Sequence, residues 1–123
     1  MLRVVTFLST RDSEKAIAFY RDTLGFRFVR DDGFALVFDL GNATLRINKL
    51  QQHAPAQGTE LGWEIADIEA AIDDFKARGV SFSKFPNVTQ DERGIAAFPN
   101  GSRVAWFTDP DGNLLSLSQV PPG

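Results

Sequence analysis

Asp12-Ser-Glu-Lys-Ala-Ile-Ala-Phe-Tyr-Arg-Asp-Thr-Leu-Gly-Phe-Arg-Phe28 is followed later in the chain by a fainter copy, Asp67-Ile-Glu-Ala-Ala-Ile-Asp-Asp-Phe-Lys-Ala-Arg-Gly-Val-Ser-Phe82. At an offset of 55 residues, Asp12 matches Asp67, Glu14 matches Glu69, Ala16-Ile17 match Ala71-Ile72, and Tyr20 matches Phe75. After a one-residue deletion, Gly25 falls on Gly79 and Phe28 on Phe82. A repeated unit constrains architecture more than any single motif does. The spacing predicts two copies of one α/β module.

Each copy reads as a helix between strands. Asp12 or Ser13 caps the first helix, and Glu14 sits favourably against its dipole. Ala16, Ile17, Phe19, Tyr20, Thr23 and Leu24 form one apolar face, and Gly25 stops the helix. Strands are predicted at Leu2 to Ser9, Phe26 to Arg30, Ala35 to Leu40 and Thr44 to Lys49, from β-branched and aromatic content between turn residues. The polar segment Leu50 to Thr59 reads as a linker. Module two follows with a strand from Glu60 to Ala66, a helix capped by Asp67, and a strand from Val80 to Phe85. Ile95 to Phe98 is a short extra strand, and Arg103 to Thr108 and Leu114 to Val120 are the last two. Asp109-Pro-Asp-Gly-Asn113 joins them as a tight turn. The expectation is a single α+β domain over residues 1–123. It holds two tandem βαβββ modules, 2–49 and 60–120 about a 50–59 linker, whose curled mixed sheets surround a cavity.

The 123 residues, 43% hydrophobic and 24% charged, suffice for one core. A net charge of −3 gives no electrostatic case for nucleic acid or anionic membrane. The absence of cysteine excludes disulfides and thiolate chemistry and fits a cytoplasmic protein. The apolar run Val4 to Leu8 is too short for a signal segment, and nothing approaches a membrane span.

Ala18-Phe-Tyr-Arg-Asp-Thr-Leu-Gly-Phe26 and Trp106-Phe-Thr-Asp-Pro-Asp-Gly-Asn-Leu-Leu-Ser116 together resemble the vicinal oxygen chelate superfamily. That superfamily contains glyoxalase I, bleomycin resistance proteins, fosfomycin resistance enzymes and extradiol dioxygenases. The resemblance runs from Arg3 to Val120. It implies two half-barrels and, in metal-dependent members, four His or Glu ligands from the first and last strands of each module. Those positions fall here on Val5, Arg46, Glu60 and Ser116. Only Glu60 is a plausible ligand: Val5 has no donor atom, Arg46 is a permanent cation, and Ser116 is a poor substitute for a carboxylate. No metal and no other cofactor is expected.

Strand alternation places Thr44, Arg46 and Asn48 on the face opposite Leu45 and Ile47. It groups Val5, Phe7 and Ser9 likewise, and Glu60, Gly62 and Glu64, and Ser116 and Ser118. The ligand-binding candidates are therefore Phe7, Arg46, Asn48, Glu60, Trp106 and Ser116, with no catalytic residue. Arg46 and Glu60 could meet as an ion pair, either a structural substitute for the metal or an anion anchor. His53, the only histidine, reads as a surface residue. Phe7, Trp63, Phe98, Trp106 and Phe107 are read mainly as core, with Trp106 and Phe98 as possible cavity walls. Asp109, Asp111 and Asn113 are read as turn chemistry, and Asp91-Glu92-Arg93 as a solvated loop.

These readings point to a metal-independent small-molecule-binding protein, like the bleomycin resistance proteins, with an unknown ligand and a homodimeric assembly. The alternative is a glyoxalase-like metal-dependent lyase, isomerase or dioxygenase acting on a small carbonyl or aromatic compound. A structural or regulatory domain with a vestigial cavity is a third reading.

Overall fold

Asp12 and Asp67 begin their helices in the same way. In the computed structural model, which describes residues 2–52, 54–55 and 57–122, both are extended, with φ/ψ of −141°/96° and −133°/97°. Each side chain accepts from the amide three residues on, Lys15 N–H in one case and Ala70 N–H in the other. That is the N-cap bond the repeat implied.

The chain divides into two compact units, Met1–Ala56 with Asp109–Asn113, and Gln57–Thr108 with Leu114–Gly123. In the first, β1 (Val4–Thr10) leads into α1 (Ser13–Ile17), which continues as a π-helical segment, Ala18–Thr23. β2 (Arg27–Asp31), β3 (Ala35–Asp39) and β4 (Ala43–Lys49) complete an open four-stranded sheet in the order β1-β4-β3-β2. In the second, β5 (Leu61–Glu64), α2 (Ile68–Ala77), β6 (Ala96–Ala97), β7 (Arg103–Thr108) and β8 (Leu114–Gln119) give the order β5-β8-β7-β6. β1 is parallel to β4 and β5 to β8; the other pairs are antiparallel. Two βαβββ modules with one sheet order are therefore present.

The π-helical segment accounts for the one-residue slip in the repeat. Leu24 N–H reaches Phe19 O at 2.9 Å, a five-residue step that takes up one residue more than an α-turn. The extra residue lies between the matched pairs Tyr20/Phe75 and Gly25/Gly79, and both glycines close their helices at positive φ, 83° and 97°.

Strand alternation sets the cores. Leu8, Leu36, Phe38, Leu45 and Ile47 are buried in the first unit with Ala16, Tyr20 and Leu24 of its helix. Ala105, Phe107, Leu115 and Leu117 are buried in the second with Ile68 and Ile72 of α2. Phe75 meets Phe107 edge-on at 5.6 Å, and Trp63 stacks on Phe107 at 6.4 Å, so Trp63 belongs to this core.

One predicted strand is not a strand. Among the described residues, Val80–Phe85 meets β7 through an isolated bridge, Phe82 to Phe107, and through Ser83 N–H to Trp106 O at 2.7 Å. The place beside β7 that matches β2 beside β3 is taken by β6, inside the short segment Ile95 to Phe98. The cause is Gln90: its Oε1 accepts from Phe85 N–H at 2.8 Å, and its Nε2 donates to Ser83 O and Gly94 O. These backbone groups are satisfied by a side chain, so pairing along the strand ends. Strand β5 is also shorter than its predicted Glu60 to Ala66.

Candidate functional site

In the first unit, the parallel register puts Phe7 beside Arg46 and Ser9 beside Asn48, and β3 adds Val37 opposite Arg46 and Ala35 opposite Asn48. Leu45 and Ile47, which alternate with these residues, are fully buried, so Phe7, Arg46 and Asn48 share the other face of the sheet. Phe7 is 56% exposed, an apolar ring offered outward next to a guanidinium. The structure brings these three candidates together.

Arg46 has a partner that strand alternation could not name. Its Nη2 donates to Asp32 Oδ2 at 2.9 Å. Asp32 sits in the β2–β3 turn, where its Oδ1 also accepts from Phe34 and Ala35 N–H at 3.0 and 2.9 Å. The Ala35 amide, then the Phe34 amide, then Arg46 hold the Asp32 carboxyl down at about 2. The signal was present in Asp31-Asp32-Gly33, but it reads there only as a turn. Next to it Lys49 Nζ donates to Asp31 Oδ2 at 2.6 Å.

In the second unit, Gly62, Ser116 and Trp106 form one row across β5, β8 and β7. A Cβ on Gly62 would lie 2.4 Å from Ser116 Oγ, so the glycine makes room for that hydroxyl. Ser116 is buried. Trp106 Nε1 donates to Thr59 Oγ1 at 3.2 Å, and its ring meets Phe85 edge-on at 5.5 Å. Glu60 precedes β5, half-buried, with its N–H on Leu114 O at 2.8 Å. Phe98 is exposed. Among the expected candidates, His53 lies outside the described residues.

A further polar centre lies in the first unit. Asp109 Oδ2 accepts from the buried Tyr20 hydroxyl at 2.7 Å and from Asn113 Nδ2 at 2.8 Å, and its Oδ1 accepts from Asp111 and Asn113 N–H, both at 2.9 Å. Burial raises the Asp109 carboxyl above its ordinary value, opposed by the donors of Asn113 and Tyr20. The turn chemistry expected of Asp109–Asn113 is present, and Tyr20 adds a long-range donor to it.

A profile of the glyoxalase/bleomycin resistance protein/dioxygenase superfamily matches residues 3–117. The chain belongs to that superfamily. Among proteins similar to this superfamily member is the uncharacterised YraH of Bacillus subtilis, 26% identical over 92% of this chain and 94% of its own length. An uncharacterised protein of Mycolicibacterium smegmatis is 30% identical over 84% and 89% of the two lengths. Among solved structures, a superfamily member from Sphaerobacter thermophilus superposes with a TM-score of 0.73, 25% identity and 97% coverage of both chains.

Of the four positions that the family resemblance implies for metal ligands, Val5, Arg46, Glu60 and Ser116, only Glu60 carries a carboxylate. Val5 offers only hydrocarbon, Arg46 is a cation already paired with Asp32, and Ser116 is a neutral hydroxyl. Among the described residues, no group of three or more His, Cys, Asp or Glu side chains is placed to hold an ion.

Proposed function

We propose that the chain binds a small anionic molecule without a metal, in the manner of the non-catalytic members of its superfamily. The observation that carries this is Arg46. A position that supplies a metal ligand elsewhere holds a cation, oriented by Asp32 and placed beside the exposed ring of Phe7. A guanidinium held in this way can take a carboxylate or phosphate, while Phe7 covers an adjoining apolar or aromatic part and Asn48 adds an amide. Glu60, just before β5, and Trp106 and Ser116, on β7 and β8, are proposed to contact ligand from the second module. No side chain in either set is arranged as a nucleophile with its base, which favours binding over covalent chemistry.

Two other expectations accompany this reading. A cytoplasmic location is proposed from the absence of cysteine. A homodimer is proposed because β1 is an edge strand bearing exposed Val4, Val5 and Phe7, a surface suited to a second copy.

The test combines metal analysis of protein purified without chelator with thermal shifts across a panel of carboxylates, phosphates and neutral analogues. Anionic compounds are expected to raise Tm in the wild type, and Arg46→Glu to remove the part of the shift that arises at the Arg46 row while Arg46→Lys retains some of it. Stoichiometric zinc, nickel, iron or manganese would overturn the reading in favour of metal-dependent lyase, isomerase or dioxygenase chemistry.

A further inference from the structure

The junction between β1 and α1 contributes to a concavity that shares no residue with the Phe7–Arg46–Asn48 row. It has a volume of about 370 Å³ and is lined by Arg11, Asp12, Lys15, Gln51, Pro110 and Asp111, all within the first unit. Small-ligand sites begin at roughly 300 Å³. Its formal charge is balanced, two cations against two carboxylates, but the two signs are not equally available.

Asp111 uses both of its carboxylate oxygens within the protein, and Asp12 uses one. Asp111 Oδ1 accepts from Arg11 N–H at 2.9 Å and its Oδ2 accepts from the Thr10 hydroxyl. Asp12 Oδ1 accepts from Lys15 N–H as the helix cap. The Arg11 guanidinium and the Lys15 ammonium, by contrast, have no hydrogen bond or ion pair among the described residues. What the concavity offers a visitor is therefore the N–H groups of Arg11 and Lys15, with the Gln51 amide beside them.

The frame behind these groups is fixed. Asp109 N–H to Asn113 O at 3.1 Å and Gly112 N–H to Asp109 O at 3.0 Å close the turn that carries Pro110 and Asp111. Asn113 Nδ2 ties that turn to Ser9 O at 3.0 Å, and Asp111 ties it to Thr10 and Arg11. Both walls stand before any ligand arrives, which lowers the entropy cost of binding. We propose that this concavity is a binding site for a doubly charged oxyanion, a phosphate group or a small dicarboxylate, with Arg11 and Lys15 as its charged contacts. Two cations lining one concavity suit such a group better than a single carboxylate, and a guanidinium can engage two of its oxygens at once.

The full chain, labelled with ¹⁵N, is titrated with inorganic phosphate and separately with succinate, each against sodium chloride at matched ionic strength. Saturable amide shifts at Arg11, Lys15 and Gln51 are expected, with affinity in the millimolar range or better. The double variant Arg11→Gln/Lys15→Gln is expected to weaken binding by at least about tenfold, roughly the loss of one or two charge-assisted bonds. The probe that saturates at lower concentration identifies the source of the oxyanion. Both variant side chains are exposed, and an unchanged melting temperature checks their folding. Arg46→Glu should leave this titration unaltered, so its result stands apart from the function proposed above. Shifts that grow linearly, that chloride reproduces, or that persist in the double variant would overturn the site.

Discussion

The Tyr20 hydroxyl donates to Asp109 Oδ2 at 2.7 Å, joining the helix of the first motif to the turn of the second. Both residues are buried, and the acceptor is a carboxylate, so the bond lies at the strong end of the range for side-chain hydrogen bonds. Tyr20→Phe keeps the ring, which packs against Phe19 at 5.1 Å and Phe38 at 5.8 Å, and removes only this donor. Because Asn113 Nδ2 still serves the same oxygen, the expected loss is about 1.5 kcal/mol rather than the ~3 kcal/mol upper figure for such bonds. Urea denaturation of the two proteins measures it, and an unchanged midpoint would contradict the assigned strength.

Asp109 also sets a pH dependence of defined sign. Burial raises its folded value above the ordinary carboxylate value, so between the two values the native state binds more protons than the unfolded state. Its contribution therefore grows more favourable as pH falls through the folded value. Asp31, Asp39 and Asp73 act in the opposite sense. Lys49 lowers the first, the Gly41 amide the second and Arg93 the third, so their contributions are present at neutral pH and lost in acid. A comparison with Asp109→Asn isolates the one group: the stability of wild type relative to the variant should rise as the solution is acidified. A relative fall would show that the donors outweigh burial.

The depressed carboxyl of Asp32 should survive the loss of its ion pair. The Ala35 and Phe34 amides act more strongly on it than Arg46 does. Carbon-detected titration should place Asp32 near 2 in the wild type. In Arg46→Met it should move only part of the way to the ordinary value, while ligand binding at the Arg46 site is lost. A complete return would mean that the ion pair, not the turn, orders this carboxylate.

Gly62 and Ser116 form a steric pair. Gly62→Ala places a Cβ 2.4 Å from Ser116 Oγ, and the serine must rotate or the strands must part. The expected cost is about 1–2 kcal/mol, typical of modest overpacking. Adding Ser116→Ala removes the clashing atom, leaving the backbone oxygen at 3.4 Å, and should recover most of the loss. A double-mutant cycle without coupling would contradict this account.

Two contacts hold the segment after α2, and they should differ in weight. Arg93 spans Glu69 at 2.8 Å and Asp73 at 3.1 Å, but all three side chains are more than a third exposed, and solvent screens them. Gln90, itself half-buried, instead satisfies three backbone groups. Arg93→Ala should therefore cost less than about 1 kcal/mol, and Gln90→Ala about 1–3 kcal/mol. Limited proteolysis between Phe85 and Gly94 should follow the same order.

Much of the fold was legible because it rests on local rules that were written twice. Asp12 and Asp67 cap, Gly25 and Gly79 stop, and the alternation of Leu45 and Ile47 with Thr44, Arg46 and Asn48 assigns the faces of β4. The strand predicted at Val80 to Phe85 failed because nothing local reveals that Gln90 will take its backbone partners. The candidate site was legible to the extent that alternation governs it. Phe7, Arg46 and Asn48 were grouped on one face, but the partner of Arg46 was not foreseen, since Asp31-Asp32-Gly33 has the composition of any turn.

The sequence by itself determined the two βαβββ modules with their caps and stops, which follow from periodicity and need no coordinates. The poor donor character of Val5, Arg46 and Ser116 is likewise read from residue type, at positions that the family resemblance implies. Only the tertiary structure decided that Asp32 orders Arg46, that Tyr20 reaches Asp109, and that the Arg11 guanidinium and Lys15 ammonium have no partner among the described residues while Asp111 is taken up by Thr10 and the Arg11 amide. These depend on hydrogen bonds between residues up to 101 positions apart, whose pairing is fixed by how the backbone folds rather than by any local pattern.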